Sequence, residues 1–266
     1  MISRDRRLLG CALLLVCGVS TARAHAPAAP VDVTFPSADG TLALTGRLHR
    51  PEGSGPFPAV VLLHGCGGIT PTHHWWAERL RGWGYVTLLV DSLGPRGQTN
   101  VCDRVMVVDP QYARMPDAYA ARSYLASQSF VAPARIGVMG WSHGGTTTLY
   151  AVDDIYLSRR GPDRFRAAIA FYPGCLMRLQ RLNVSLLILI GEEDDWHAAA
   201  RCRRMEVEPG TAHRLILKIY PGAHHGFDRI QPGALVYLGH TLERHPEAAT
   251  DAEEQVQRFL VRHLSR

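Results

Sequence analysis

The chain has 266 residues, 46% hydrophobic and 20% charged, with a mean hydropathy of -0.06. This is ordinary globular composition, long enough for one domain with a substantial core, and it excludes a disordered chain or a small fold that needs metal to hold it together. The formal charge of +5 is read after its location, because it gathers at the start.

Arg4, Arg6 and Arg7 open the chain, Leu8 to Val19 is an apolar run, and Ala22-Arg23-Ala24 is a small-x-small pattern. This is the layout of an export signal cut after Ala24. The run is too short to span a bilayer, so no stable membrane anchor is expected. Residues 25–30 then read as a Pro-Ala linker and 31–266 as the folded domain. Cleavage removes four arginines and one aspartate, taking the formal charge from +5 to +2. The basic pI therefore partly reflects the signal and gives no support for nucleic-acid binding. Cys11 and Cys17 leave with the signal, while Cys66, Cys102, Cys175 and Cys202 remain. An even number in an oxidising compartment predicts disulfides. The absence of C-x-x-C argues against a zinc knuckle or a thioredoxin-type site.

Val31 to Phe35 and Leu42 to His49 read as two early strands separated by Ala38-Asp39-Gly40. Ala59 to Leu63 is a solid apolar run stopped by His64-Gly65-Cys66-Gly67-Gly68, the pattern of a strand buried on both faces. A helix over Trp75 to Trp83 and a strand over Tyr85 to Val90 follow. Pro110 to Gln128 reads as a long helix, kinked or started late at Pro116. Next come a strand at Arg135 to Gly140, a helix at Gly144 to Val152, and strands at Ala167 to Phe171 and Leu186 to Ile190. A helix over Ala198 to Val207, a strand over Leu215 to Tyr220 and an amphipathic helix over Ala252 to Leu264 complete the chain. Such alternation predicts an α/β fold, a mostly parallel sheet with helices on both faces. The link between Phe171 and Leu186 is too short for a large cap domain, so a shallow, open pocket is expected.

In open sheets of this kind, functional residues lie past the carboxyl ends of strands. Gly140-Trp141-Ser142-His143-Gly144-Gly145 fits G-x-S-x-G between a predicted strand and a predicted helix. A serine on so sharp a turn needs neighbours without side chains, and the new helix aims N–H groups at charge developing near it. Serine needs a base, and an acid followed by a histidine is expected on later strand-end loops. Glu192-Glu193-Asp194-Asp195 and His224-His225-Gly226 fall there. Asp194 is preferred over Asp195, which suits a helix cap, and His225 over His224, because Gly226 leaves room beside it. The backbone N–H groups of His143 and Cys66 are the candidate oxyanion donors. Trp141 and Arg96 are the candidate substrate-binding residues. The Arg96 guanidinium could grip a substrate carboxylate in bidentate fashion, or else tie its own loop to a neighbouring carboxylate or carbonyl. Cys175 follows one strand and Cys202 lies on the helix after the next, so these two are expected to be bonded, with Cys66 and Cys102 the second pair.

Gly140 to Gly145, Gly191 to Trp196 and His225-Gly226-Phe227 resemble the dienelactone hydrolase family of α/β-hydrolases, across essentially all of the mature chain. The family's nucleophile is typically cysteine in G-x-C-x-G-G, whereas this chain carries Ser142. The resemblance places the acid on Asp194 and the base on His225, and implies a small-molecule ester or lactone hydrolase more firmly than carboxymethylenebutenolidase activity. The rival readings are an inactive binding protein with the same fold, and a peptidase or acyltransferase using the same three residues. A metallohydrolase built on His73, His74, His224 and His225 lacks the carboxylate spacing a metal site needs, so no metal or other cofactor is expected. Oligomeric state is not legible in the sequence.

Overall fold

Glycine-bounded runs of Val, Ile and Leu build one sheet of eight strands. In the computed structural model residues 29–154, 164–179, 181–182, 184–211 and 214–264 are described. The expected signal and most of the linker lie outside the described residues. The strands are β1 (Val31–Pro36), β2 (Ala43–His49), β3 (Phe57–Leu63), β4 (Val86–Asp91), β5 (Val131–Trp141), β6 (Ala167–Phe171), β7 (Ser185–Gly191) and β8 (Leu215–Tyr220). They lie in the order β1-β2-β4-β3-β5-β6-β7-β8. β2 pairs antiparallel with both β1 and β4, and every later pairing is parallel. The fold is that of the α/β-hydrolases, as expected.

The burial follows the residue types. Ala59 to Leu63 in β3 and all of β6 are buried, as strands covered on both faces must be, while the outer β2 alternates buried with exposed residues. Among the described residues five α-helices accompany the sheet: α1 (Pro71–Gly82), α2 (Met115–Ala126), α3 (His143–Ala151), α4 (Ala199–Arg203) and α5 (Pro246–Leu264). α5 buries Ala252, Val256, Phe259 and Leu260, a stripe spaced at three and four residues that faces the sheet. Each fully buried Leu or Val in this core contributes about 1.5–3 kcal/mol over its exposed state.

Several elements differ from the expectation. The long helix from Pro110 divides into a π turn at Pro110–Arg114 and then α2. The Asp109 carboxylate caps the N–H groups of Gln111 and Tyr112 at 2.7 Å, and Pro116 cannot donate back into the preceding turn. α4 stops at Arg203, because Val207 is drawn into a bridge with Leu179. A two-stranded hairpin, β9 (Ala234–Tyr237) and β10 (His240–Glu243), was not expected at all.

Candidate active site

The turn after β5 is constrained from both sides. Ser142 has φ 53 and ψ -115, a backbone that side chains rarely adopt and that costs about 1–3 kcal/mol. A Cβ on Gly140 would sit 2.2 Å from the Gly144 carbonyl oxygen, and one on Gly144 would sit 2.1 Å from that of Leu63. Both glycines are therefore required for α3 to start so close to β3 and β5. The Ser142 N–H donates to the Phe171 carbonyl at 2.9 Å, which fixes the elbow to the neighbouring β6.

Two loops bring partners to this serine. After β8, His225 places Nε2 3.0 Å from Ser142 Oγ. After β7, Asp194 Oδ2 lies 2.8 Å from His225 Nδ1, so the carboxylate accepts that ring proton and leaves Nε2 free to accept from the hydroxyl. All three side chains are buried. Asp194 Oδ1 also accepts from the backbone N–H groups of Trp196 and His197, at 3.0 and 2.7 Å, so the carboxylate cannot swing away. The helix cap expected of Asp195 is not made, since α4 has Ala198 at its N-cap and no side-chain cap. Asp195 instead accepts from the Thr241 N–H in the hairpin. His224 Nδ1 donates to the Glu193 carbonyl, away from the serine.

The two candidate oxyanion donors share one support. Arg114 is completely buried, and its guanidinium donates to the His64 carbonyl at 2.8 Å and to His143 Nδ1 at 2.9 Å. Burial lowers its pKa to about 10, which leaves it a cation at neutral pH. Burial and Arg114 together push His143 down to about 3, so that ring is neutral and its Nδ1 can accept. The Gly65-Cys66 turn lies against Ser142, since a Cβ on Gly65 would touch Ser142 Cβ at 3.6 Å. Cys66 is bonded to Cys102, and its carbonyl accepts from the Val101 N–H. Cys175 and Cys202 form the second disulfide. Both pairings are the expected ones.

The serine opens into a cavity of about 340 Å³. His73, Trp141, Tyr172 and Trp196 supply aromatic lining, and Leu235, Tyr237 and Leu242 of the hairpin form one wall. The hairpin thus adds one wall to a pocket that is still half open to solvent. Hairpin and loops are tied together: Asn100 Nδ2 donates to the Tyr237 hydroxyl at 2.9 Å, and His240 stacks on Trp196 at 4.7 Å. His73 Nδ1 accepts from the Thr70 N–H, closing the first turn of α1 beside the cavity. Burial pushes His73 down to about 3, which keeps it neutral.

Of the two candidate substrate-binding residues, Trp141 lies at the cavity and Arg96 does not. Arg96 donates to both oxygens of the buried Asp117, at 2.8 and 3.0 Å, and to the Ser92 carbonyl. A substrate carboxylate would have to displace a buried bidentate partner, so anion binding by Arg96 is corrected to a loop-tying role. Trp141 lines the cavity with its ring, but its N–H donates to Asp228 at 2.9 Å. Sequence reasoning missed Arg114, Tyr172, Asp228 and Arg229. Arg229 lines the cavity and donates to the Leu242 carbonyl. Only the spacing of Asp228 and Arg229, three and four residues past His225, could have drawn attention to them.

Residues 44–264 match the family described as dienelactone hydrolase. The chain belongs to that family. Among solved structures, the dienelactone hydrolase of Anabaena variabilis superposes with a TM-score of 0.65 at 20% identity, covering 90% of this chain and 100% of that one. A dienelactone hydrolase-like promiscuous phosphotriesterase from metagenomic libraries gives 0.66 at 20% identity, over 89% of this chain and 99% of that one. Likeness at this level shows the fold. In sequence, a Bradyrhizobium protein named as a probable 2-oxo-3-(5-oxofuran-2-ylidene)propanoate lactonase is 26% identical over 203 residues, covering 68% of this chain and 77% of its own length. A Mycobacterium tuberculosis protein with a provisional phosphoribosyl transferase name is 28% identical over 205 residues, but the chain spans only 42% of its length. Family membership and the Bradyrhizobium relative support a hydrolase.

Proposed function

We propose that this dienelactone hydrolase family member is a serine hydrolase that cleaves small carboxylic esters or lactones through an acyl-Ser142 intermediate. The observation that carries the reading is the unbroken relay from Ser142 Oγ to His225 Nε2 and from His225 Nδ1 to Asp194 Oδ2. His225 takes the hydroxyl proton as Oγ attacks the carbonyl carbon. Asp194 holds the tautomer and steadies the imidazolium that forms. The developing oxyanion is assigned to the backbone N–H groups of Cys66 and His143, with the positive end of α3 behind them. Collapse of the tetrahedral species expels the alcohol, which takes its proton from His225. For a lactone the alcohol stays attached through the acyl group. Water activated by the same imidazole then releases the acid.

The cavity volume suits a small substrate, and its aromatic lining suits a flat, largely apolar acyl group or ring. The lactonase name of the Bradyrhizobium relative supports including lactones. We also propose export: the two disulfides suit an oxidising compartment, and no helix among the described residues is long and apolar enough to cross a membrane. The test is a panel of short esters and lactones assayed on the wild type and on Ser142→Ala. Turnover that Ser142→Ala abolishes is expected, while turnover surviving in that variant contradicts the reading.

A further inference from the structure

Asp228 is a buried carboxylate beside the site that the proposed chemistry does not use. Its partners are three neutral donors. Trp76 Nε1 and Trp141 Nε1 donate to Oδ2 at 2.8 and 2.9 Å, and the Tyr172 hydroxyl donates to Oδ1 at 2.8 Å. An indole N–H can only donate, so the side chain facing the two indoles must offer lone pairs, which suits the carboxylate. Burial works the other way and raises the pKa of the group, while the three donors oppose that rise.

The donors frame the reacting groups. Trp141 precedes the nucleophile, and Tyr172 directly follows β6 with φ 35, a backbone held away from its relaxed range. The Tyr172 ring centroid lies 4.5 Å from that of His225. The Tyr172 N–H donates to the Leu189 carbonyl, and its own carbonyl accepts from His197 Nδ1, so the residue is fixed at both main-chain groups as well as at the hydroxyl. A phenol that donates to a carboxylate has a more electron-rich ring, and an aromatic ring at this distance stabilises a cation beside it.

We propose that Asp228 is a positioning residue of the reaction, acting on His225 through Tyr172, whose ring it holds and polarises against the imidazole that must become a cation. The inference rests on the serine-hydrolase reading. The other groups facing His225 are accounted for. Asp194 holds Nδ1, Ser142 lies at Nε2, and the Trp196 ring packs at 5.2 Å. His197 meets the imidazole edge-on at 5.2 Å and, pushed down to about 4 by burial, stays neutral through the working range. Arg229 is a fixed cation whose field reaches Tyr172.

Asp228→Asn separates charge from shape, because the amide oxygen can accept from both indoles while its NH2 donates to the Tyr172 oxygen. With a short p-nitrophenyl ester, kcat should fall roughly three- to tenfold with KM little changed, and the acid limb of the kcat/KM profile should move about half a unit to lower pH. Tyr172→Phe keeps the ring but loses the tether, and should move the limb the same way; it decides alone if Asp228→Asn does not fold. A limb that stays in place, with activity lost only in proportion to the folded fraction, overturns the inference. Labelling of wild-type Ser142 by a fluorophosphonate is the control. Absence of labelling overturns the underlying reading, whereas labelling with an unmoved limb overturns only the role of Asp228.

Discussion

The cavity has an inner wall and an outer wall, built by different means. Ser142, Asp194 and His225 stand on loops that leave the parallel strands β5, β7 and β8, so the sheet itself sets their spacing. The outer wall is the hairpin β9–β10 with the loop around Asn100 and Cys102, fixed by a disulfide and side-chain ties such as Asn100 to Tyr237. The inner wall is a consequence of the fold, and so it suits the proposed chemistry, which tolerates little displacement. The outer wall can be redrawn without disturbing the sheet, which makes it the place where we propose that substrates are selected.

The sharpest way to break this division sets two adjacent carboxylates against each other. Asp194→Asn should lower kcat by roughly 10³–10⁴-fold, because it disturbs the imidazole tautomer. Asp195→Asn touches only the hairpin, retains an acceptor for the Thr241 N–H, and should stay within about threefold in kcat while altering KM. Comparable losses in steady-state assays would erase the distinction between the walls.

Arg96→Ala probes stability behind the inner wall. It strands the buried Asp117 carboxylate and should cost about 3–5 kcal/mol in denaturant unfolding. Charged and neutral esters should lose activity equally. A loss confined to anionic substrates would restore Arg96 as a substrate contact.

The two disulfides sharpen the comparison further. Replacing Cys175 and Cys202 by serine should cost about 2–4 kcal/mol of stability and leave kcat unchanged. Replacing Cys66 and Cys102 frees the proposed oxyanion turn, and should also lower kcat by about tenfold. Equal kinetic effects in the two double variants would detach the Cys66 turn from catalysis.

The smallest effect is a slope in stability with pH. His64, His73, His143 and His197, all against the inner wall, are held neutral by burial, with pKa values lowered to about 3 for His73 and His143 and about 4 for His197. Below pH 6.5 the unfolded chain binds protons at these sites that the folded chain does not. Their stabilisation is complete above that pH and is lost as pH falls toward 4. The raised carboxylates Asp117 and Asp228 oppose the trend in its lower part. Calorimetry should find stability falling as pH drops from 6.5 toward 4, by up to about 1.4 kcal/mol per pH unit for each of these histidines. A flat profile would contradict the neutral, dry inner wall.

The inner wall was legible because its signals are local. An apolar run, a glycine stop and a reactive side chain recur after β3, β5, β7 and β8. The preference for His225 over His224 matches the geometry, in which His225 and not His224 faces Ser142. The outer wall was not legible, and the reason is physical. The hairpin turns on Leu238 and Gly239, both at positive φ, and leucine there hides the Asn-Gly or Asp-Gly signal such a two-residue turn normally shows. Arg114 and Asp228 escaped notice for a related reason. Each is an ordinary polar residue in the sequence, and its importance comes from partners such as His64 and Trp76, far away in the chain.

Fluorophosphonate labelling followed by peptide mapping bears most directly on the relay of serine, imidazole and carboxylate. The wild type should carry the phosphonyl group on the Ser142 peptide within minutes, and folded His225→Ala should label far more slowly. A wild-type enzyme that resists the probe, or a His225→Ala variant that reacts just as fast, would contradict the account.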